Sequence, residues 1–433
     1  MLNFNLSSLN AEIVRGEEEY VNRVLDMELL PDEFRLLQRN NVNFIGVSDQ
    51  FKDVIQTFPV NEGETPAGFR RELLIEKDGL VKVDLVRDIS YDVNGIPRPT
   101  NVLFSADSAN PYEVKPISRL IANLTCNPGI VYDLFINNPK ANIGNVYKNR
   151  DEVMTELAKI LGPGCDVSVE LNNPFEDDFS KLLEEAEKFK EIFSKHRIVI
   201  KVPHTGAVTP ENVQQLLSGD KTLDKRYDEI ETKEAFRGHN LALKLHEHGY
   251  RVNFTLMFEP YQTQLALQAR PYFINTFLRH RYMQSGRISD YVKMFEATGS
   301  QEVIDLLKAY LIKNDFLKVI DDLSSGEIYN LAKHLINYRL FNEAEGADGL
   351  DGMRHNLRVL KNCNLKESRL IVCSMEGEDN YPAIDKLLAE PEFTDMHRKV
   401  VITAEPQYLA RFTSTNQVTS YQRRFMNAAN GQK

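Results

Sequence analysis

Lys201 stands inside an otherwise aliphatic run, Ile198-Val199-Ile200-Lys201-Val202-Pro203. Lysine is seldom buried without a function that needs it there. Apolar surroundings penalise the ammonium form. The neutral amine they favour is the nucleophile that adds to a ketone to give a Schiff base. A lysine that leaves a strand end into solvent is the plainer alternative, but polar residues elsewhere in the chain argue against it. They are Asp107 after NVLFSA, Thr125 and Asn127 at ANLTC, and Ser168 and Glu170 in DVSVEL. Asn253 and Thr255 in YRVNFTLMF, Asn275 in YFINTF and Ser374 after RLIVC complete the set. Residues two apart share one side of a strand. Parity therefore permits Thr125 with Asn127, Ser168 with Glu170, and Asn253 with Thr255 to line one interior. Breaking a C–C bond through a Schiff base also needs a group that moves the proton of a sugar hydroxyl. Asp107 and Glu170 are the two carboxylates available, with a structural ion pair as their other reading.

The elements that must hold these residues follow from the same runs. Eight short β-branched segments, from NVLFSA to KVVITA, alternate with amphipathic stretches such as EDDFSKLLEEAEKFKEIFSKH. Strand and helix in alternation signal a parallel sheet with helices outside, and eight strands suit a closed (β/α)8 TIM barrel, an α/β fold. An open doubly wound sheet would announce itself by a glycine-rich first turn, and no GxGxxG follows NVLFSA. Polar residues at the C-terminal ends of barrel strands mark the face that builds active sites.

Residues 1–98 read as an N-terminal α+β accessory region, with residues 10–40 helical in pattern. A hairpin turns at Asp78-Gly79, and a breaker cluster, Asn94-Gly95-Ile96-Pro97-Arg98-Pro99, marks the boundary. The barrel then takes residues 99–433. Residues 288–366 are predicted as an enlarged helical insertion after the sixth strand, because that interval far exceeds a usual connection. TSYQRRFMNAANGQK is expected to be a flexible tail.

The chain has 433 residues, 42% of them hydrophobic, and a formal net charge of -11. That suffices for a large core and gives no basic patch for nucleic acid. The four cysteines form no CxxC, no leader-like segment opens the chain, and no apolar stretch would span a bilayer. A reduced, cytoplasmic protein with no metal, no membrane and no nucleic-acid partner is the expectation, with a homo-oligomer left open.

Taken in order, five motifs resemble the transaldolase family of Schiff-base aldolases. FSADSAN is similar to its first-strand A-D-T/S motif and LTCNPGIV to its TTNPS motif. IVIKVPHTG is similar to the lysine strand, GYRVNFTLMFEPYQTQLALQA to the fifth strand with its Q-A helix, and RLIVCSM to the late A-S-F. The resemblance covers residues 102–286 and 368–410. It implies a transferase of carbohydrate metabolism, in the pentose phosphate pathway, that needs no cofactor and acts on sugar phosphates. A dihydroxyacetone unit would pass from a ketose phosphate to an aldose. Lys201 would form the Schiff base, Asp107 would serve the C4 hydroxyl, and Glu170 with Thr255 would hold a proton-relaying water. Asn127 and Asn253 would bind donor hydroxyls, beside Thr125, Asn275 and Ser374. Glu170 and Phe277 replace the glutamine and tyrosine of the fructose-6-phosphate aldolases, which favours transfer over simple cleavage. A fructose-6-phosphate-aldolase-like enzyme and a non-catalytic binding protein on a degenerate barrel are the other two readings.

The chain departs from the family where phosphate is bound. The sixth strand runs into Leu278-Arg279-His280-Arg281, with His280 at the family's arginine position and Arg279, Arg281 and Arg287 as substitutes. Ser374-Met375-Glu376 sets a glutamate where the family has a basic residue, and a carboxylate repels phosphate. His204 is expected at the surface, Cys126 in the core, and Met257 and Phe258 in barrel packing. His246 and His248 are too closely spaced for a helical metal pair.

Overall fold

The computed structural model describes residues 4–57, 59–66, 69–86, 102–162, 165–204, 206–365, 367–375 and 380–432. The proposed boundary cluster at 94–99 and Glu376 lie outside these residues.

Each of the eight β-branched runs forms a strand. They are β1 (Leu103–Asp107), β2 (Ile121–Cys126), β3 (Asp166–Glu170) and β4 (Arg197–Pro203), then β5 (Arg251–Thr255), β6 (Phe273–Phe277), β7 (Arg369–Cys373) and β8 (Val400–Ala404). They close into one barrel in the order β4-β5-β6-β7-β8-β1-β2-β3. The registered neighbours, among them β4 with β5 and β6 with β7, are parallel. A parallel strand in a barrel faces side chains on one side and helices on the other, so both faces are buried. That is why β7 and β8 are buried at every position. The helices between strands are α1 (Arg150–Ile160), α2 (Phe179–Ile192), α3 (Arg237–Glu247) and α4 (Gln262–Gln268). After β6 come α5 (Leu278–Thr298), α6 (Gln301–Lys313), α7 (Ser325–Tyr338) and α8 (Asp351–Asn362). α9 (Asn380–Leu388) joins β7 to β8, and α10 (Asn416–Ala429) ends the chain. No described helix is long and apolar enough to cross a membrane.

By compactness the chain divides into two units. The first holds Met1–Thr125, Gly129–Val167 and Lys190–Ile198; the second holds Cys126–Pro128, Ser168–Phe189 and Val199–Lys433. Within the first, Glu12–Ile13, Phe44–Val47, Leu80–Val86 and Arg70–Ile75 make a four-stranded sheet in that order. The first three strands run parallel and the last pair is antiparallel. The hairpin does turn at Asp78-Gly79, where both residues have positive φ (66° and 74°), as a tight two-residue turn requires. Residues 10–40 differ from the helical expectation. Only Glu18–Val21 and Pro31–Arg39 are helical, and Glu28–Leu29 pairs as a strand with Phe4–Asn5.

Within the second unit, α5 starts directly after β6 and runs through residue 288, so the predicted insertion begins inside this helix. α5, α6 and α7 share a core of Ile288, Val292, Ile304, Leu307, Ile328 and Ile336. α8 packs on β6, β7 and α4 and so occupies the place of an ordinary barrel helix. The expected flexible tail is instead the helix α10, exposed along its length. Residues 416–429 contain neither proline nor glycine, so nothing in their backbone chemistry breaks a helix.

Candidate active site

Lys201 is 7% exposed although no apolar contact compensates an ammonium group. What neighbours it is Glu170, whose Oε2 lies 3.4 Å from Lys201 Nζ. Leu171 N donates to Lys201 O across the same pair of strands. Burial pushes the Glu170 carboxyl above its ordinary range, and Lys201 pulls it back only in part. A lysine beside a carboxyl of raised proton affinity is a pair that can exchange a proton during reaction.

The β4–β5 register sets Lys201 opposite Asn253 and Pro203 opposite Thr255. Val252 and Phe254 alternate with these two polar residues, and all four are buried. Asn275 Nδ2 on β6 donates to Asn253 Oδ1 at 2.9 Å. Three adjoining strands thus present a lysine and two amides in one layer. Asn253 Nδ2 is buried and has no hydrogen-bond partner among the described residues; the same is true of Ser168 Oγ on β3. Orphaned polar atoms in a core are rare.

Beyond Thr255 the chain turns sharply. Leu256 has φ +57°, a left-handed conformation costing about 1–2 kcal/mol for a non-glycine residue. Gln262, at the start of α4, holds this turn. Its Oε1 accepts from Phe258 N and Glu259 N (2.8 and 2.9 Å), and its Nε2 donates to Leu256 O at 3.2 Å. Phe258 stacks on Phe277 with ring centres 4.6 Å apart. Phe258 was expected in barrel packing; it instead lines a cavity at the strand ends, whereas Met257 is buried as expected. Ser374, at φ +58°, accepts at its carbonyl from Arg279 N at 3.1 Å.

Arg281, a candidate for binding substrate, is 5% exposed and held by other residues. Its Nε donates to Glu259 Oε2 at 2.9 Å, and its Nη1 lies 2.5 and 2.6 Å from the two oxygens of Asp351. Arg339, at the C-terminal end of α7, pairs with the other oxygen of Glu259. Two cations and two anions thereby bind the loop after β5 to α5, α7 and α8. Neither the Glu259–Arg339 pair nor Asp351, the partner of Arg281, stood out in the sequence. His280, flanked by Arg279 and Arg281, meets Gln284 Nε2 at 2.9 Å through its own Nε2.

His204 corrects the surface expectation. It is 5% exposed, with its ring 4.7 Å from Phe254 and 6.1 Å from His239. Gly238 makes this closure possible: a Cβ there would stand 2.2 Å from Pro203 O and 2.5 Å from His204 O. Burial, and then His239, push the His204 pKa down to about 4. A histidine depressed in the folded state contributes stability above its unfolded pKa and loses it as pH falls through the folded value. The window is about pH 6.5 down to 4, and the full contribution is about 3 kcal/mol. Urea titrations from pH 7 to 4 are expected to show a steep acid loss of stability that flattens in His204→Gln. An unchanged slope would refute the assignment.

In the first unit, Asp107 ends β1 in register with Thr125, which is buried. In the second, Asn127 stands one residue past the end of β2 and is half-buried. Cys126 is fully buried, as parity required. Among the described residues no group of three or more His, Cys, Asp or Glu side chains gathers as a metal site.

No curated protein matches the chain. The family model for transaldolase/fructose-6-phosphate aldolase matches residues 104–314, which take in β1 to β6 and run on through α5 and α6. Over that segment the chain is similar to the transaldolase/fructose-6-phosphate aldolase family, a match consistent with a divergent member.

Proposed function

We propose that the protein is a transaldolase-type transferase that moves a dihydroxyacetone unit from a ketose phosphate to an aldose through Lys201. The observation that carries this reading is the buried Lys201 beside Glu170, in register with Asn253, to which Asn275 donates. The neutral amine adds to the ketone carbon, and loss of water gives the iminium. Removal of the C4 hydroxyl proton lets the C3–C4 bond break, which releases an aldehyde and leaves an enamine on the lysine. The enamine attacks the carbonyl of an acceptor aldehyde, and hydrolysis returns the amine. Asp107 takes the C4 proton, a role assigned from its motif at the end of β1. Glu170, with its raised proton affinity, and Thr255 hold the water that carries protons to and from the lysine. Asn253 donates its orphaned Nδ2 to a donor hydroxyl. Asn127, Thr125, Asn275, Phe277 and Ser374 shape the rest of the site, and exposed Arg279 meets the ketose phosphate. The chemistry asks for no metal or organic cofactor, and we place the protein in the cytoplasm.

Borohydride trapping tests the reading. Protein mixed with fructose 6-phosphate and reduced is expected to gain the mass of a reduced ketose or dihydroxyacetone adduct, mapped to the peptide holding Lys201. Turnover that depends on an added aldose identifies the transferase, whereas release of dihydroxyacetone without one identifies an aldolase. No adduct with phosphorylated or unphosphorylated ketoses would sink the Schiff-base assignment.

A further inference from the structure

Most left-handed backbone in this chain has an ordinary cause. Among the described residues other than glycine with positive φ, five are Asn or Asp, which tolerate that region. Arg270 and Leu340 lie just past α4 and α7, and helices commonly finish in this way. Leu256 has neither excuse. It follows β5 directly, next to Thr255, with a branched side chain at φ +57°. Strain of this kind persists only where surrounding structure enforces it, and it gathers at functional sites.

Gln262 is what enforces it. One side chain closes the turn from both ends, because its Oε1 accepts from Phe258 N and Glu259 N while its Nε2 donates to Leu256 O. The far end of the turn is anchored in its own right, since the Glu259 carboxylate is held by Arg281 and Arg339. At the near end, His204 N donates to Thr255 O at 3.1 Å, beyond the last registered pair of β4 and β5. With the far end fixed, Leu256 can return to negative φ only if the Thr255–Leu256 peptide rotates. That rotation turns Thr255 O away from His204 N and frees the end of β5, which carries Thr255.

We infer that Gln262 is a positioning residue that keeps Thr255 where it can hold the proton-carrying water. The inference rests on the Schiff-base transfer proposed above. Iminium formation sends a proton to the departing hydroxyl of the carbinolamine, which leaves as water, and hydrolysis returns both. Gln262 therefore sets the speed of these two water-dependent steps, acting through Thr255 and not on the donor.

The test mixes the intact protein with fructose 6-phosphate and quenches it with borohydride at timed intervals. Gln262→Leu keeps the size of the side chain and removes its three bonds. It is expected to slow both adduct formation and kcat about tenfold to a hundredfold, the scale of a displaced group, while KM and the final yield of adduct on Lys201 stay within about twofold of wild type. Gln262→Asn, one carbon short of the turn, should be slowed alike. Gln262→Glu keeps an oxygen for the two N–H groups and loses only the donated bond, so it is expected to stay within about threefold of wild type. Leu256→Asn puts a residue that tolerates the left-handed region into the turn, and Leu256 is 46% exposed, so no core contact is lost. Combined with Gln262→Leu it is expected to restore most of the lost rate, which no general effect on stability would do. Gln262→Leu at full rate, or a double variant as slow as Gln262→Leu, would overturn the inference while the Schiff base stands. No wild-type adduct on Lys201 with fructose 6-phosphate or dihydroxyacetone would overturn the Schiff base and this inference together.

Discussion

Lys201→Met is expected to abolish the borohydride adduct and to lower turnover by about 10⁴-fold or more, the scale of losing a covalent nucleophile. Methionine keeps most of the volume and the unbranched shape, so β4 can form unchanged and the loss reads the amine alone. The same variant has a pH signature. Glu170 already carries a folded pKa above its ordinary value, because burial outweighs the attraction of Lys201. Such a group contributes stability below its unfolded pKa, and that contribution is lost as pH rises through the folded value. Without the lysine the carboxylate is buried with less compensation. The stability gap between Lys201→Met and wild type should therefore widen as pH rises from the ordinary carboxylate range towards neutrality. Lys201→Met/Glu170→Gln should remove that slope. Urea midpoints across the pH range measure it, and a gap that is constant with pH would count against the ion pair.

Arg339→Ala is expected to cost about 3–5 kcal/mol, because it leaves two carboxylates, Glu259 and Asp351, to share the single buried cation Arg281. Arg339 also donates from Nη1 to Arg281 O, Gln284 Oε1 and Ser285 Oγ, each at 3.3 Å. Removing both charges together, as Arg339→Met/Glu259→Gln, should cost less than Arg339→Ala alone, since no uncompensated charge remains. A double variant that is as unstable as the sum of its parts would show that the pair does not interact. Activity should fall in the single variant as well, because Glu259 follows Phe258 in the loop that Gln262 fixes.

The barrel was legible because its strands are short, β-branched and buried on both faces, so a polar residue among them is conspicuous. Lys201, Asn253, Thr255 and Asn275 were singled out in this way, and all four are buried on the barrel strands. Glu170 was found by parity, and its pairing with Lys201 followed only from the β3–β4 neighbourhood. The Glu259–Arg339 pair joins residues 80 apart, and a charge in a loop or at a helix end looks the same in sequence whether it is solvated or buried. His204 was misread for a related reason. Its burial depends on Gly238, which lets α3 approach the end of β4 and carries no periodic signal of its own. The helix α10 was missed because its polar composition suggested a flexible tail, although it holds no helix breaker.

The helices that follow β6 also bear on how the chain is made. β6 pairs with β7, yet β7 comes after the longest interval between successive barrel strands. At about 5–20 residues per second of synthesis, the edge of β6 would wait roughly 5–20 s for its neighbour. A hydrophobic strand edge left open that long is a template for aggregation. α5, α6 and α7 are adjacent in sequence and build their own core, so their contacts close short loops and form early. Growing directly out of the end of β6, they give the half-made barrel a folded body while its last two strands are still being synthesised.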